Sequence, residues 1–129
     1  MAGTVKGGQS LTSALLGVPT WTAGSLLNSW VNTGAGAVAF QYRKWRLLNE
    51  VEVIGDISSG TITNGTNIAS GLPAPASLQQ CNPVIDVSGT AAAPITPALQ
   101  VDTSGNLKVE ALGSGTTRIT FHFWYSLDA

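Results

Sequence analysis

The chain has 129 residues, of which six are Lys or Arg and seven are Asp or Glu, for a formal net charge of −1. That length supports one domain with a real hydrophobic core and leaves little room for a second. Nucleic-acid binding needs an extended basic surface that releases counterions, and six cations offset by seven anions do not supply one, so no nucleic-acid partner is expected.

Residues 1–20 read as an N-terminal arm or anchor, ahead of a β-sandwich domain over residues 21–129. Its first ten residues, MAGTVKGGQS, are Gly-rich and lack apolar periodicity, which marks a flexible arm that orders against a partner. One Lys and a short apolar patch broken by Ser and Thr make a poor secretory signal. No apolar run approaches the ~20 residues of a membrane span, so membrane insertion is not expected. From Leu11 to Val31 the apolar positions are irregular, and Pro19 and Gly24 interrupt any helix; this predicts an extended lead-in with one or two turns.

After NTGAGA, the residues Val38, Phe40 and Tyr42 alternate with Ala39, Gln41 and Arg43, the period of a half-buried strand. A second alternation places Val51, Val53, Gly55 and Ile57 on one face and Glu50, Glu52 and Asp56 on the other, with Ile54 among the acids. The segment Lys44 to Asn49 between them is the expected turn, so Arg43 and Glu52 face each other across an antiparallel pair. The cluster YRKWR is therefore one arm of a hairpin whose charged face is exposed.

SSGTITNGTNIASGLPAPAS predicts connected loops with at most a short strand near Thr61 to Thr63. Val84 to Val87 reads as a short strand, and the two prolines beside apolar residues in AAAPITPALQV make that segment an edge or the entry to a strand. Leu99 and Val101, a DTSGN turn, then Leu107, Val109 and Ala111 spell a hairpin. In the last strand Ile119, Phe121, Phe123 and Tyr125 alternate with Thr120, His122 and Trp124, so both faces are bulky: one packs in the core and the other against something else. Many short strands with Gly and Pro turns predict an all-β fold, an antiparallel β-sandwich of jelly-roll type, with a flexible N-terminal arm.

Catalytic and metal chemistry has few carriers. His122 is the one histidine and Cys81 the one cysteine, which is short of a zinc tetrad and excludes an intrachain disulfide. No GxSxG elbow is present, GAGA lacks a following helix, and nothing local marks Cys81 as reactive. The expectation is a protein that is not an enzyme and carries no metal or cofactor. For binding, Trp21, Trp30, Tyr42, Trp45 and Trp124 are the notable side chains, because indole and phenol rings stack on sugars and anchor protein contacts. Of these, Tyr42, Trp45 and Trp124 are the candidate ligand-binding residues; core or interface packing is the alternative for each.

The succession LLNSWVN, VAFQYRK, VEVIGDI with SSGTIT, SGLPAP, VDTSGNLKV and RITFHFWYSL resembles the C-terminal β-sandwich module of tailed-phage minor tail and receptor-binding proteins. The resemblance runs from about Trp21 to the end and rests on the order of the motifs. Asn28 and Trp30 match the tryptophan-bearing lead-in, Tyr42 and Arg43 the first strand, Gly55 the second, Leu72 and Pro73 the loop, and Gly105 the hairpin turn. After Pro73 that family continues with Gly and an Arg-Pro pair, whereas this chain has Ala74, Pro75 and then LQQCNP, so the following loop departs from the pattern. The resemblance implies a homotrimer on the virion surface, tail-associated and binding a host cell-surface glycan or protein, with the N-terminal arm docking on other virion structural proteins. A capsid decoration or head-fibre protein held to the shell by that arm is the alternative.

Overall fold

The computed structural model describes residues 17–88 and 96–129. The expected flexible arm over residues 1–10 and residues 91–95 of AAAPITPALQV lie outside the described residues; the rest of that segment leads into a strand, Ala98–Val101, that is paired on both sides and is therefore not an edge. Every regular element within the described residues is a β-strand.

One sheet is built around β5 (Glu50–Ser58) and β11 (Arg118–Ser126), which pair antiparallel over their whole lengths, from Glu50 against Ser126 to Ser58 against Arg118. On one side β4 (Gln41–Trp45) pairs with β5 and β1 (Thr22–Ala23) with β4; on the other, β8 (Val84–Asp86) pairs with β11. A short β3 (Val31–Asn32) adds to the far end of β5. The second sheet has the order β2 (Ser25–Leu26), β6 (Asn67–Ser70), β10 (Leu107–Ala111), β9 (Ala98–Val101) and β7 (Gln79–Cys81). All pairings are antiparallel, and the two sheets form the expected β-sandwich.

The core lies between them. Val51, Val53, Ile57, Ile119, Phe121, Phe123 and Tyr125 face inward from the first sheet, against Ile68, Leu99, Val101, Leu107 and Val109 of the second, and all are buried. Phe40 and Phe121 meet edge to face at 6.1 Å, a geometry that suits the ring quadrupoles. The alternation along β5 and β11 thus does what the sequence predicts for the inner face. Trp30 is also buried, its indole N–H donating to the Thr61 carbonyl at 3.2 Å, and it seals the end of the sandwich over Gly60. A Cβ on Gly60 would lie 1.9 Å from that indole, so no other residue fits there.

Arg43 does pair with Glu52 in the β4–β5 hairpin, as expected. The turn is shorter than predicted, because Lys44 and Trp45 stay in the ladder against Val51 and Glu50, and Asn49 closes it with its N–H on the Arg46 carbonyl at 3.3 Å. The lead-in contributes three two-residue strands, β1, β2 and β3, where only extended chain was expected. No strand forms at Thr61 to Thr63; the strand of this region is β6, Asn67–Ser70, whose Ile68 and Ala69 are buried. β7 was likewise not foreseen. Both are too short for alternation to register against flanking Gly, Pro and Ser, and both exist because β10 and β9 offer them backbone partners.

The β9–β10 turn is held by Asp102. Its Oδ1 accepts the backbone N–H of Ser104 at 2.9 Å and of Asn106 at 3.0 Å, and Lys108 Nζ lies 3.0 Å from Oδ2. Burial pushes this carboxyl up, but the bonds from Asn106, Lys108 and Ser104 outweigh it and hold it well below the usual carboxylate range. Gly105 completes the turn at φ +76°, and a Cβ there would sit 2.1 Å from the Leu72 carbonyl oxygen. Gly65 has a similar φ of +83° with nothing near its missing Cβ. The two positions therefore separate conformational cost from collision. We expect Gly65→Ala to cost about 1 kcal/mol, the left-handed penalty alone, and Gly105→Ala about 3 kcal/mol because Leu72 must also move. Urea unfolding of the two variants checks this; equal costs would remove the packing argument.

Candidate functional site

The outer face of the first sheet is where chemistry collects. Alternation places Arg43 and Trp45 of β4, Glu52, Ile54 and Asp56 of β5, and Arg118, Thr120, His122 and Trp124 of β11 on this face. Register then sets neighbours: Arg43, Glu52 and Trp124 lie in one row, and Gln41, Ile54 and His122 in the next.

Glu52 is the centre. Its Oε1 accepts the Arg43 Nε–H at 2.6 Å and the Trp45 Nε1–H at 2.9 Å, and its Oε2 lies 2.7 Å from His122 Nε2. Burial pushes the Glu52 carboxyl up, yet the bonds from Arg43, Trp45 and His122 and the Arg43 charge together hold it below its ordinary value. A carboxylate only accepts, so Nε2 of His122 carries the hydrogen and Nδ1 is the ring nitrogen left for other partners. The Arg43 guanidinium carbon lies 4.2 Å from the Trp21 ring centroid and 4.9 Å from that of Trp45, a cation held between two indoles. Trp45 in turn lies 5.8 Å from Trp124, the rings inclined at 38°.

This corrects the expectation of an exposed charged face. Glu52 is only 4% exposed, because the large side chains of both neighbouring strands close over it. The same holds for Asp56, which accepts two bonds from Arg118, at 2.8 and 2.7 Å, and one from the Thr33 hydroxyl at 2.6 Å. The Arg118 bonds, against the opposing effect of burial and with help from Thr33 and the Arg118 charge, lower the Asp56 carboxyl. Open on the face are Trp124, 43% exposed, and the side chains of His122 and Arg118, 50% and 42% exposed.

Beside His122 the face dips into a groove of about 230 Å³ lined by Val38, Ile54, Pro83, Ile85, Thr120 and His122, with Gly55, Asp56 and Phe121 at its floor and edge. Val38 and Ile85 are 44% and 54% exposed. The groove is largely apolar, with Thr120 and His122 as its polar groups alongside the already bonded Asp56.

Of the sequence candidates, Trp45 and Trp124 are brought together here. Tyr42 is not: it points to the opposite face, packs against the core and donates its hydroxyl hydrogen to the Gly71 carbonyl at 3.2 Å, tying β4 to the loop after β6. Trp30 belongs to the core, and Trp21 to the outer cluster through Arg43. The convergence of Trp45 and His122 on Glu52 was missed, although the alternation of both strands and the Arg43–Glu52 pairing contained the signal. Cys81 lies inside the second sheet while His122 points out of the first, so the two do not meet; burial pushes the Cys81 thiol up to about 12, which leaves it unreactive, in keeping with the absence of any local mark of reactivity in the sequence. Among the described residues no group of three or more His, Cys, Asp or Glu side chains is placed to hold a metal ion, and no helix is long and apolar enough to cross a membrane.

The Glu52 network carries a stability prediction with a sign. Its folded pKa lies below the unfolded value, so its contribution is complete above the unfolded carboxylate range and is lost as pH falls through the folded value. Glu52→Gln keeps the shape but removes the charge from Arg43 and His122, and is expected to cost about 2–3 kcal/mol at pH 7. Between pH 7 and acid the variant loses less stability than the native chain. Chemical denaturation across that range checks both statements, and parallel pH profiles would sink the second.

No family model matches the chain, and no curated protein matches it. Among solved structures the fold is similar to that of the receptor binding protein (gp15) of Listeria phage PSA, with a TM-score of 0.52 and 17% sequence identity. The superposition covers 84% of this chain and 66% of that one, just under two thirds of the phage protein's length.

Proposed function

We propose that this chain is a surface protein of a tailed-phage virion, tail-associated, and that it acts as a host-attachment module of the C-terminal β-sandwich kind, binding rather than catalysing. The likeness of its fold to a phage receptor binding protein, over 84% of the chain, carries the reading. The motif order from the lead-in tryptophan to the closing aromatic strand supports it independently. So does the outer face of the first sheet, where Trp124 stands exposed beside Trp45 and His122 on a frame fixed by buried Glu52. A rigid aromatic surface loses little entropy when a ligand orders it, which suits attachment by many weak contacts.

In this reading the chain works as a homotrimer whose residues 1–20 dock on other virion proteins. Leu47, Leu48 and Leu78, which are 79%, 60% and 50% exposed, gather at one end of the sandwich, where the Leu127 N–H bonds Asn49 and the Ala76 N–H bonds Leu127. That is apolar area suited to contact between copies.

The decisive experiment is competition. Purified protein added to host cells is expected to reduce phage adsorption in proportion to its concentration, and antibody labelling is expected over the tail. Full adsorption at saturating protein together with label over the head would replace this reading by capsid decoration. Light scattering at micromolar concentration is expected to give three times the monomer mass. Removing residues 1–10 is expected to leave thermal unfolding unchanged while abolishing incorporation into particles; normal incorporation would move the docking to the sandwich.

A further inference from the structure

We infer that Asn64 is a site of self-modification, at which the side-chain amide is lost through a cyclic imide formed with the backbone nitrogen of Gly65, and that the turn from Thr63 to Thr66 is the brake on this reaction. The inference is separate from host attachment and stands without it.

The sequence supplies the reactive pair. A backbone nitrogen attacks the side-chain carbonyl carbon of the asparagine before it, and a side chain on the attacking residue obstructs the approach, so Asn followed by Gly is the reactive combination. Asn64–Gly65 is the one such pair in the chain. Asn82 precedes Pro83, which has no N–H to lose, and Asn67 precedes the buried, branched Ile68. The side-chain amides of Asn28, Asn49 and Asn106 donate to Asn67, Asp128 and Asp102, and that of Asn32 accepts the Phe40 N–H. Asn64 is exposed, and among the described residues its side chain has no hydrogen-bond partner.

The chemistry needs only hydroxide and water. Hydroxide removes the Gly65 amide proton, the freed electron pair bonds that nitrogen to Asn64 Cγ, and the Cγ–Nδ2 bond breaks as ammonia leaves with a proton from water. Water then opens the five-membered ring. Attack at Cγ puts an aspartate in place of Asn64; attack at the backbone carbonyl carbon leaves Gly65 joined through Cγ, an isoaspartate with one extra carbon in the main chain.

The fold opposes the first step twice. The Gly65 N–H donates to the Val109 carbonyl at 2.8 Å, and the Val109 N–H to the Thr66 carbonyl at 3.0 Å, so the proton to be removed is engaged in a continuation of the β6–β10 ladder. The Thr66 N–H donates to the Thr63 carbonyl at 3.1 Å, with φ +83° at Gly65 and no positive φ at Asn64, which makes a type II turn. Such a turn sets ψ of its second residue at roughly +120°, whereas closing the ring needs roughly −120° to bring the Gly65 nitrogen to Cγ. Both obstacles disappear when the turn opens, so the reaction proceeds from the open turn alone. Its isoaspartate product holds the turn open, because a longer main chain does not keep the bonds at both Gly65 and Thr66. β6 follows at once, with Ile68 and Ala69 buried, and the change therefore reaches a core strand.

The test follows the whole purified chain at mildly alkaline pH, folded and in guanidinium, with peptide mass spectrometry reading the gain of about 1 Da and the isoaspartate. In guanidinium Asn64 is expected to convert before every other asparagine. Folded, it is again expected to convert first, about tenfold more slowly or less, and the slowing is expected to be no smaller than the protection of the Gly65 amide against hydrogen exchange, since both need that N–H set free. Gly65→Ala, compared in guanidinium so that folding plays no part, is expected to slow conversion severalfold. The isoaspartate product, separated by its added charge, is expected to unfold at lower denaturant than Asn64→Asp, which carries the charge without the extra carbon. Equal rates folded and unfolded, earlier conversion of another asparagine, or a folded chain that never converts while its Gly65 amide exchanges would each overturn the proposal. A product as stable as Asn64→Asp would overturn the link to β6.

Discussion

Everything on both sides of the first sheet depends on one antiparallel ladder, that between Glu50–Ser58 and Arg118–Ser126. A strand's side chains alternate with a period of two, so the register that puts Val53 against Phe123 and buries both also puts Glu52 against Trp124 on the other face. A slip of one residue by β5 would turn Glu52 and Asp56 into the core, and the same slip by β11 would expose its phenylalanines. The hydrophobic core and the outer aromatic cluster are thus two readouts of a single alignment. The core makes the alignment strong enough to hold an acid under large side chains.

Glu52 shows how that strength is used. A carboxylate removed from water is costly unless its lone pairs are filled, and here Arg43, Trp45 and His122 fill them from both neighbouring strands. No buried side-chain nitrogen or oxygen is left without a partner among the described residues. The consequence is positional. One buried charge orients an indole and an imidazole and, through the Trp45 contact, supports the exposed Trp124. A face built this way offers a ligand fixed surfaces rather than mobile ones, and fixed surfaces are what many weak, repeated contacts need.

The two sheets divide the work differently. Residues of the second sheet supply inner-face aliphatics and the Asp102 turn, and their outward side chains pair among themselves, as Gln80 does with Glu110 at 3.1 Å. The outer face of the first sheet carries the exposed indole, the histidine and the groove. That asymmetry is why the exposed indole and imidazole stand on one face of the sandwich, and why Tyr42, whose hydroxyl is tied to Gly71 on the core side of β4, is set apart from Trp45 three residues later.

Composition and alternation by themselves determined the all-β class, the hairpin that opposes Arg43 to Glu52, the β9–β10 hairpin about its Asp-Thr-Ser-Gly-Asn turn, and the inward set of the last strand. Each of these depends on contacts between residues close in the chain or on a period of two, both of which one sequence displays. Tertiary structure alone decided the rest. β6 and β7 form because distant strands offer them hydrogen bonds, and three pieces of two-residue strand crystallise out of the lead-in for the same reason. Residues 45, 52 and 122 meet at one carboxylate only because β11 returns, 70 positions beyond Glu52, to lie beside β5. Whether an alternating polar face is solvated or closed over depends on the size of side chains across the ladder, and the sequence does not state which strands are neighbours.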